Sequence, residues 1–115
     1  MIRAAFVILI VLTGGSEFAS AEHMALQGWG TVTCAAFAYM YKEDPKLVED
    51  HLFDWAQGMM SGLNAANIVG GQGTRDLGSM STDQQRGALR TFCDRHPRSN
   101  YYDAVMDLFA SMPSR

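Results

Sequence analysis

The residues able to do chemistry are few, and their spacing does not suit catalysis. The two cysteines, Cys34 and Cys93, stand far apart and lack the CxxC arrangement that lowers a thiol pKa in redox proteins. The three histidines, His23, His51 and His96, form no HxxxH pair and no Cys-Cys-His zinc spacing. His51 and Asp54 are three apart, a separation too common on helices to suggest a metal site. Cys93 and His96 would act as nucleophile and base only with a free, activated thiol. Asp103 and Asp107 are four apart on what reads as the solvent side of a helix, whereas a general acid–base pair needs a cleft. The glycines of 70–80 have no GK[ST] ending and do not follow a strand, so they make no phosphate loop. No catalytic, cofactor-binding or metal-binding set emerges, no cofactor is expected, and the chain does not read as an enzyme.

The element that positions everything else is Asp44 to Leu63, DPKLVEDHLFDWAQGMMSGL. Asp44 can cap a helix with Pro45 in its first turn. Val48, Leu52, Trp55, Met59 and Leu63 recur at helical spacing on one face, with Ala56 and Gly62 beside them. Asp50, Asp54, Gln57, Ser61 and Asn64 lie opposite. Gly58 and Gly62 are four apart on one edge of the stripe, where each costs up to about 1 kcal/mol of helix propensity. With Trp55 they predict a helix-packing site, the glycines permitting close approach of a second helix. Phe53 and Met60 fall outside the stripe. They either meet another part of the same core or form an exposed apolar strip as a partner surface. The helix can run on through 64–69, with Gly70 as its terminator.

Around this helix the chain supplies three more. Thr31 or Thr33 can cap a short helix to about Tyr41, with Cys34, Phe37, Met40 and Tyr41 on one face. Residues 70–80, GGQGTRDLGSM, predict a mobile surface loop. Ser81 and Gln84 form a capping box for a helix whose inner face is Gln85, Leu89, Phe92, Cys93 and His96. Pro97 ends it, and His96 suits a cap or salt bridge at its C-terminus. Ser99 or Asn100 caps the last helix, striped by Tyr101/Tyr102, Val105, Leu108/Phe109 and Met112. The expected fold is all-α: a small four-helix bundle around a long central helix, stapled by one disulfide. One domain spans 31–115 with the Gly-rich loop at 70–80. An arm over 22–30 precedes it, with Trp29 tucked against the domain.

Residues 1–21 read as a signal peptide. Arg3 gives a positive start, Ala4 to Leu12 is apolar, and Ala19-Ser20-Ala21 is a small-x-small cleavage signal. The run is shorter than the roughly 20 apolar residues a spanning helix needs. No cysteine sits at the cleavage point, so neither a lipid anchor nor stable membrane insertion after cleavage is expected. The expected compartment is the periplasm. The chain has 9 Lys/Arg against 12 Asp/Glu, a formal charge of −3, and its arginines are interleaved with acids. Nucleic acid is therefore not an expected partner. Two cysteines in an exported chain most simply form an intrachain disulfide, closing a loop of about 60 residues worth about 4 kcal/mol in the chain-entropy model. Redox-active thiols and a bridge between two copies are the alternatives.

The order Thr33-Cys34-x-x-Phe37, Trp55-x-x-Gly58-x-x-Ser61-Gly62 and Phe92-Cys93-Asp-Arg-His-Pro97, with Tyr102-Asp-Ala104, resembles the exported HdeA/HdeB group. The likeness covers about residues 31–112. It implies a periplasmic all-helical protein with Cys34 and Cys93 as its disulfide, and in some members an acid-stress chaperone. In those members acid separates a homodimer and exposes apolar surface to unfolding clients. This chain departs from them in lacking lysine-rich ends and in carrying the stretch 70–80. A second resemblance is to the periplasmic immunity proteins that neutralise secreted cell-wall amidases, which implies a neutral-pH inhibitor. Many of those carry more cysteines than two. Either way the implied partner is a protein.

Overall fold

A computed structural model describes residues 26–115. The predicted signal peptide, its cleavage site and His23 lie outside the described residues.

Among the described residues four helices form, each started by a local signal in the chain. Helix α1 (Cys34–Glu43) is capped by Thr33, whose hydroxyl accepts from the Ala36 N–H at 3.1 Å. The Asp44 carboxylate accepts from the Leu47 N–H and opens α2. Helix α2 is one continuous run: an α turn at Pro45–Leu47, a π-helical turn at Val48–Leu52, and an α-helix at Phe53–Val69. Ser81 and Gln84 close a capping box at the start of α3 (Thr82–Arg95), and Asn100 and Asp103 close another at the start of α4 (Tyr101–Ser111). Each box satisfies two N–H groups that a helix start otherwise leaves open. Short 3₁₀ turns occupy Gly28–Thr31 and Leu77–Ser79. Among the described residues β-structure is limited to the isolated bridges Thr33–Asn100 and Arg75–Ser114.

The core gathers Cys34 and Phe37 from α1, Val48, Leu52, Phe53, Ala56 and Met60 from α2, Leu89 and Cys93 from α3, and the inner stripe of α4. Cys34 and Cys93 are joined as a disulfide within the chain, with Cα atoms 4.6 Å apart. The bond pins the start of α1 to the end of α3, so these two helices run antiparallel. The Cys34 N–H donates to the Ser99 carbonyl and the Ala35 N–H to the Pro97 carbonyl, which fixes the turn into α4 at the same point. Burial pushes the Tyr101 phenol, at the start of α4, above its ordinary pKa.

The π turn corrects the reading of the central helix. A π turn holds one more residue than an α turn, so everything after it moves round by one position. Val48 and Leu52 face inward as their spacing predicts. Beyond them the inward positions are Phe53, Ala56 and Met60, while Trp55, Met59 and Leu63 are only half-buried on the flank. Phe53 and Met60 are 3% and 1% exposed. The exposed partner strip that was one reading of these two residues does not form.

Residues 70–80 differ from the mobile loop expected of them. Asn64 clamps them through both polar atoms of its amide: Nδ2 donates to the Arg75 carbonyl at 2.8 Å and Oδ1 accepts the Arg75 N–H at 2.9 Å. The Asp76 N–H donates to the Pro113 carbonyl and the Arg115 N–H to the Thr74 carbonyl. Arg75 itself reaches the Met112 carbonyl. Buried Gln85 donates to the carbonyls of Leu77 and Met80, tying the same segment to α3. The glycines loosen the composition, but the backbone of Arg75 and Asp76 at the middle of the segment is tied to α2 and to the C-terminal residues.

Candidate interaction surfaces

The predicted helix-packing site at Trp55, Gly58 and Gly62 divides in two. Trp55 does serve as a packing post, against the arm and α4. A Cβ on Gly30 would stand 2.1 Å from the indole ring, and one on Gly28 would stand 3.4 Å from its Nε1. Only a glycine fits at 30, and Gly28 also has a φ of +78°, which favours glycine. The Tyr101 ring lies 6.2 Å from the indole on another side. Trp29, expected to tuck in, lies with its ring 6.2 Å from His51 and stays 36% exposed. The described end of the arm is thus a folded turn over Gly28–Thr31 and belongs to the domain.

Gly58 and Gly62 do something else. Among the described residues a Cβ added at either would meet nothing within 4 Å. No helix of the described residues approaches them, because the one-residue rotation at the π turn carries both outward. The close approach predicted for this pair is corrected to an open face, and the glycine required by close packing is Gly30. The signal for Gly30 was present only as a glycine on either side of Trp29; its partner Trp55 lies 25 positions away, beyond any local pattern.

The open face of α2 is unusual in composition. Between Asp54 and Arg75 the chain carries no charged residue. Gln57, Gly58, Ser61, Gly62, Ala65, Ile68 and Val69 lie outward along the helix, Ile68 at 67% and Val69 at 89% exposure. Beside this face a groove of about 450 Å³ runs between α2 and the segment 77–85. Met60, Leu77 and Met80 line it with Gln57, Ser61 and Gln85, and no charged side chain takes part. Charge sits elsewhere. Lys46 and Asp50 pair on the first turns of α2, and that hydrogen bond holds the Asp50 carboxyl below the usual range. Arg86 pairs with Asp83 at 3.3 Å on α3.

The remaining chemical residues stay apart. His96 is exposed, its ring stacked on Phe92 and its Nδ1 2.9 Å from the Phe92 carbonyl, as befits a helix end. Asp103 is the return arm of a capping box, while Asp107 is exposed further along α4. Among the described residues no group of three or more His, Cys, Asp or Glu could hold a metal ion, and no helix is long and apolar enough to cross a membrane. No family model, curated protein or solved structure matches the chain.

Proposed function

We propose that the chain is an exported helical binding protein that engages one protein partner in its folded state, as an inhibitor or immunity protein does. Export is read from the signal-like residues 1–21 and is compatible with the disulfide. The observation that carries the binding reading is the outer face of α2. Two glycines there lower helix propensity without serving any close contact among the described residues, and Ile68 and Val69 expose apolar surface at the end of the same face. A flat, uncharged helix edge beside an uncharged groove suits a helix or loop of a partner protein.

The acid-chaperone reading implied by the HdeA/HdeB resemblance gains less. It needs the core to open when carboxylates are protonated. Among the described residues no Asp or Glu is buried, and the carboxyl held low, Asp50, sits on the surface. Six described methionines are wholly or partly inside: Met60 and Met112 are buried, and Met40, Met59, Met80 and Met106 half-buried.

Capture from periplasmic extract at pH 7 and again at about pH 3, where most carboxylates are neutral, separates the readings. The expected result is one retained species at neutral pH that is lost with Ile68→Asp. Many species retained only in acid, regardless of Ile68→Asp, would overturn the folded-state reading in favour of the chaperone.

A further inference from the structure

A second groove, of about 430 Å³, lies between α1 and α3, and its floor is Phe37, Ala38 and Tyr41. Its charged wall is Arg90. That guanidinium lies over the Tyr41 ring, 4.8 Å from its centroid, which fixes its plane. Arg86, one turn earlier, is likewise held over Phe53 at 4.6 Å, but it is engaged by Asp83. Among the described residues Arg90 has neither an ion pair nor a hydrogen bond. Lys42 lines the same groove and is also unpaired, whereas Asp94 lines it from further along α3. Because α1 and α3 run antiparallel from the Cys34–Cys93 bond, Lys42 marks the end far from the disulfide and Asp94 the end near it. Gly87 keeps the wall low beside Arg90: a Cβ there would meet only the Arg90 Nη2, at 3.9 Å.

We propose that this groove is a docking site for an acidic segment of a partner protein, with a carboxylate held by Arg90 and Lys42 and an apolar neighbour resting on Phe37 and Ala38. A guanidinium whose plane is set by an aromatic ring has its edge free for a bidentate carboxylate and loses little freedom on binding. The unpaired cations set the sign of the ligand, and Asp94 sets its direction by repelling a second acid at the disulfide end. Glu49 lines a small cleft together with Arg86 and Arg90 and pairs with neither one, so its negative charge opposes a second carboxylate brought close to Arg90. The proposal goes beyond the α2 face and does not rest on it.

The test uses the disulfide-bonded full chain at neutral pH and low salt, following arginine side-chain N–H signals by NMR. The probes are an acetylated, amidated tetraglutamate peptide, the tetraglutamine equivalent and inorganic phosphate. Tetraglutamate should shift the Arg90 Nε–H saturably, while tetraglutamine should not. Arg90→Gln should weaken the binding about tenfold or more, the loss of a charged bidentate bond. Arg90→Lys, which keeps the charge and the long stem, should weaken it less, and Glu49→Gln should strengthen it. Backbone spectra of each variant report whether the fold is kept. Equal shifts at the exposed Arg95 and Arg98, or affinity unchanged in a folded Arg90→Gln, would overturn the site. Phosphate binding as tightly as the peptide would show a general anion site and overturn the peptide assignment.

Discussion

Two glycine-bearing regions of the molecule look alike in sequence and behave in opposite ways. At the seam between the arm and α2, Gly30 lies so close to the Trp55 ring that no side chain fits. On the outer edge of α2, Gly58 and Gly62 face open space. The first glycine is required by the fold, while the other pair is tolerated by it. The difference shows that a glycine at helical spacing does not announce a packed neighbour. What matters is which way the backbone has been turned, and here one π turn decides it.

The largest effect is expected in the tightly packed part of the fold, at the disulfide that joins α1 to α3. Cys34→Ser should lower stability by about 4 kcal/mol in the chain-entropy model, since it frees a loop closed across 59 positions. Urea midpoints of the oxidised parent and the variant measure it. A loss no larger than that of a surface substitution would mean that packing alone holds α1 to α3.

Gly30→Ala sharpens the comparison directly. The added methyl overlaps the indole, and overpacking of this kind typically costs about 1–3 kcal/mol. Trp55 should report the same strain as a changed fluorescence spectrum. An unchanged midpoint would show that the arm lifts away freely and that the seam is not part of the fold.

Asn64→Ala asks whether residues 70–80 belong with the ordered side of the comparison. It leaves the Arg75 N–H and carbonyl without their partner, a cost of about 1–3 kcal/mol where these groups stay shielded from water. Hydrogen exchange at Arg75 and Asp76 should quicken. Exchange as fast in the parent as in the variant would return the segment to the mobile loop that its composition suggests.

The smallest effect is expected at the exposed Lys46–Asp50 pair. Folding lowers the Asp50 pKa, so its contribution is present above the unfolded value and disappears as pH falls through the folded one. Both groups are exposed, and solvent screens them. Asp50→Asn should leave the midpoint nearly unchanged at neutral pH and the same as the parent in acid. A large neutral-pH loss would point to an acid trigger in this turn and strengthen the chaperone reading.

How far the chain could be read beforehand follows from the range of each interaction. Thr33, Asp44, Ser81 and Asn100 cap helices through bonds to residues three positions on, so their signals are local and legible. The stripe of α4 holds because nothing interrupts its 3.6-residue period, and Val105, Leu108 and Met112 are buried as their spacing implies. The period of α2 fails after Leu52. A π turn has no residue signature of its own, and this one brings Phe53, Ala56 and Met60 into the core in place of Trp55, Met59 and Leu63. The order of 70–80 depends on Asn64 and on 112–115, contacts that no local window contains. Arg90 was legible as a charge among others; its lack of a partner is a tertiary fact.

The central claim is that the outer edge of α2 is kept small for a partner and not for the chain's own packing. The most direct measurement pairs a urea midpoint with neutral-pH capture for the Gly58→Ala, Gly62→Ala double variant. Each substitution restores up to about 1 kcal/mol of helix propensity and meets no neighbour, so the midpoint should rise. The added methyls should at the same time lift the partner from the face and weaken capture. A lower midpoint would mean that the glycines pack inside the molecule after all. Capture as strong as the parent's would mean that the partner binds elsewhere.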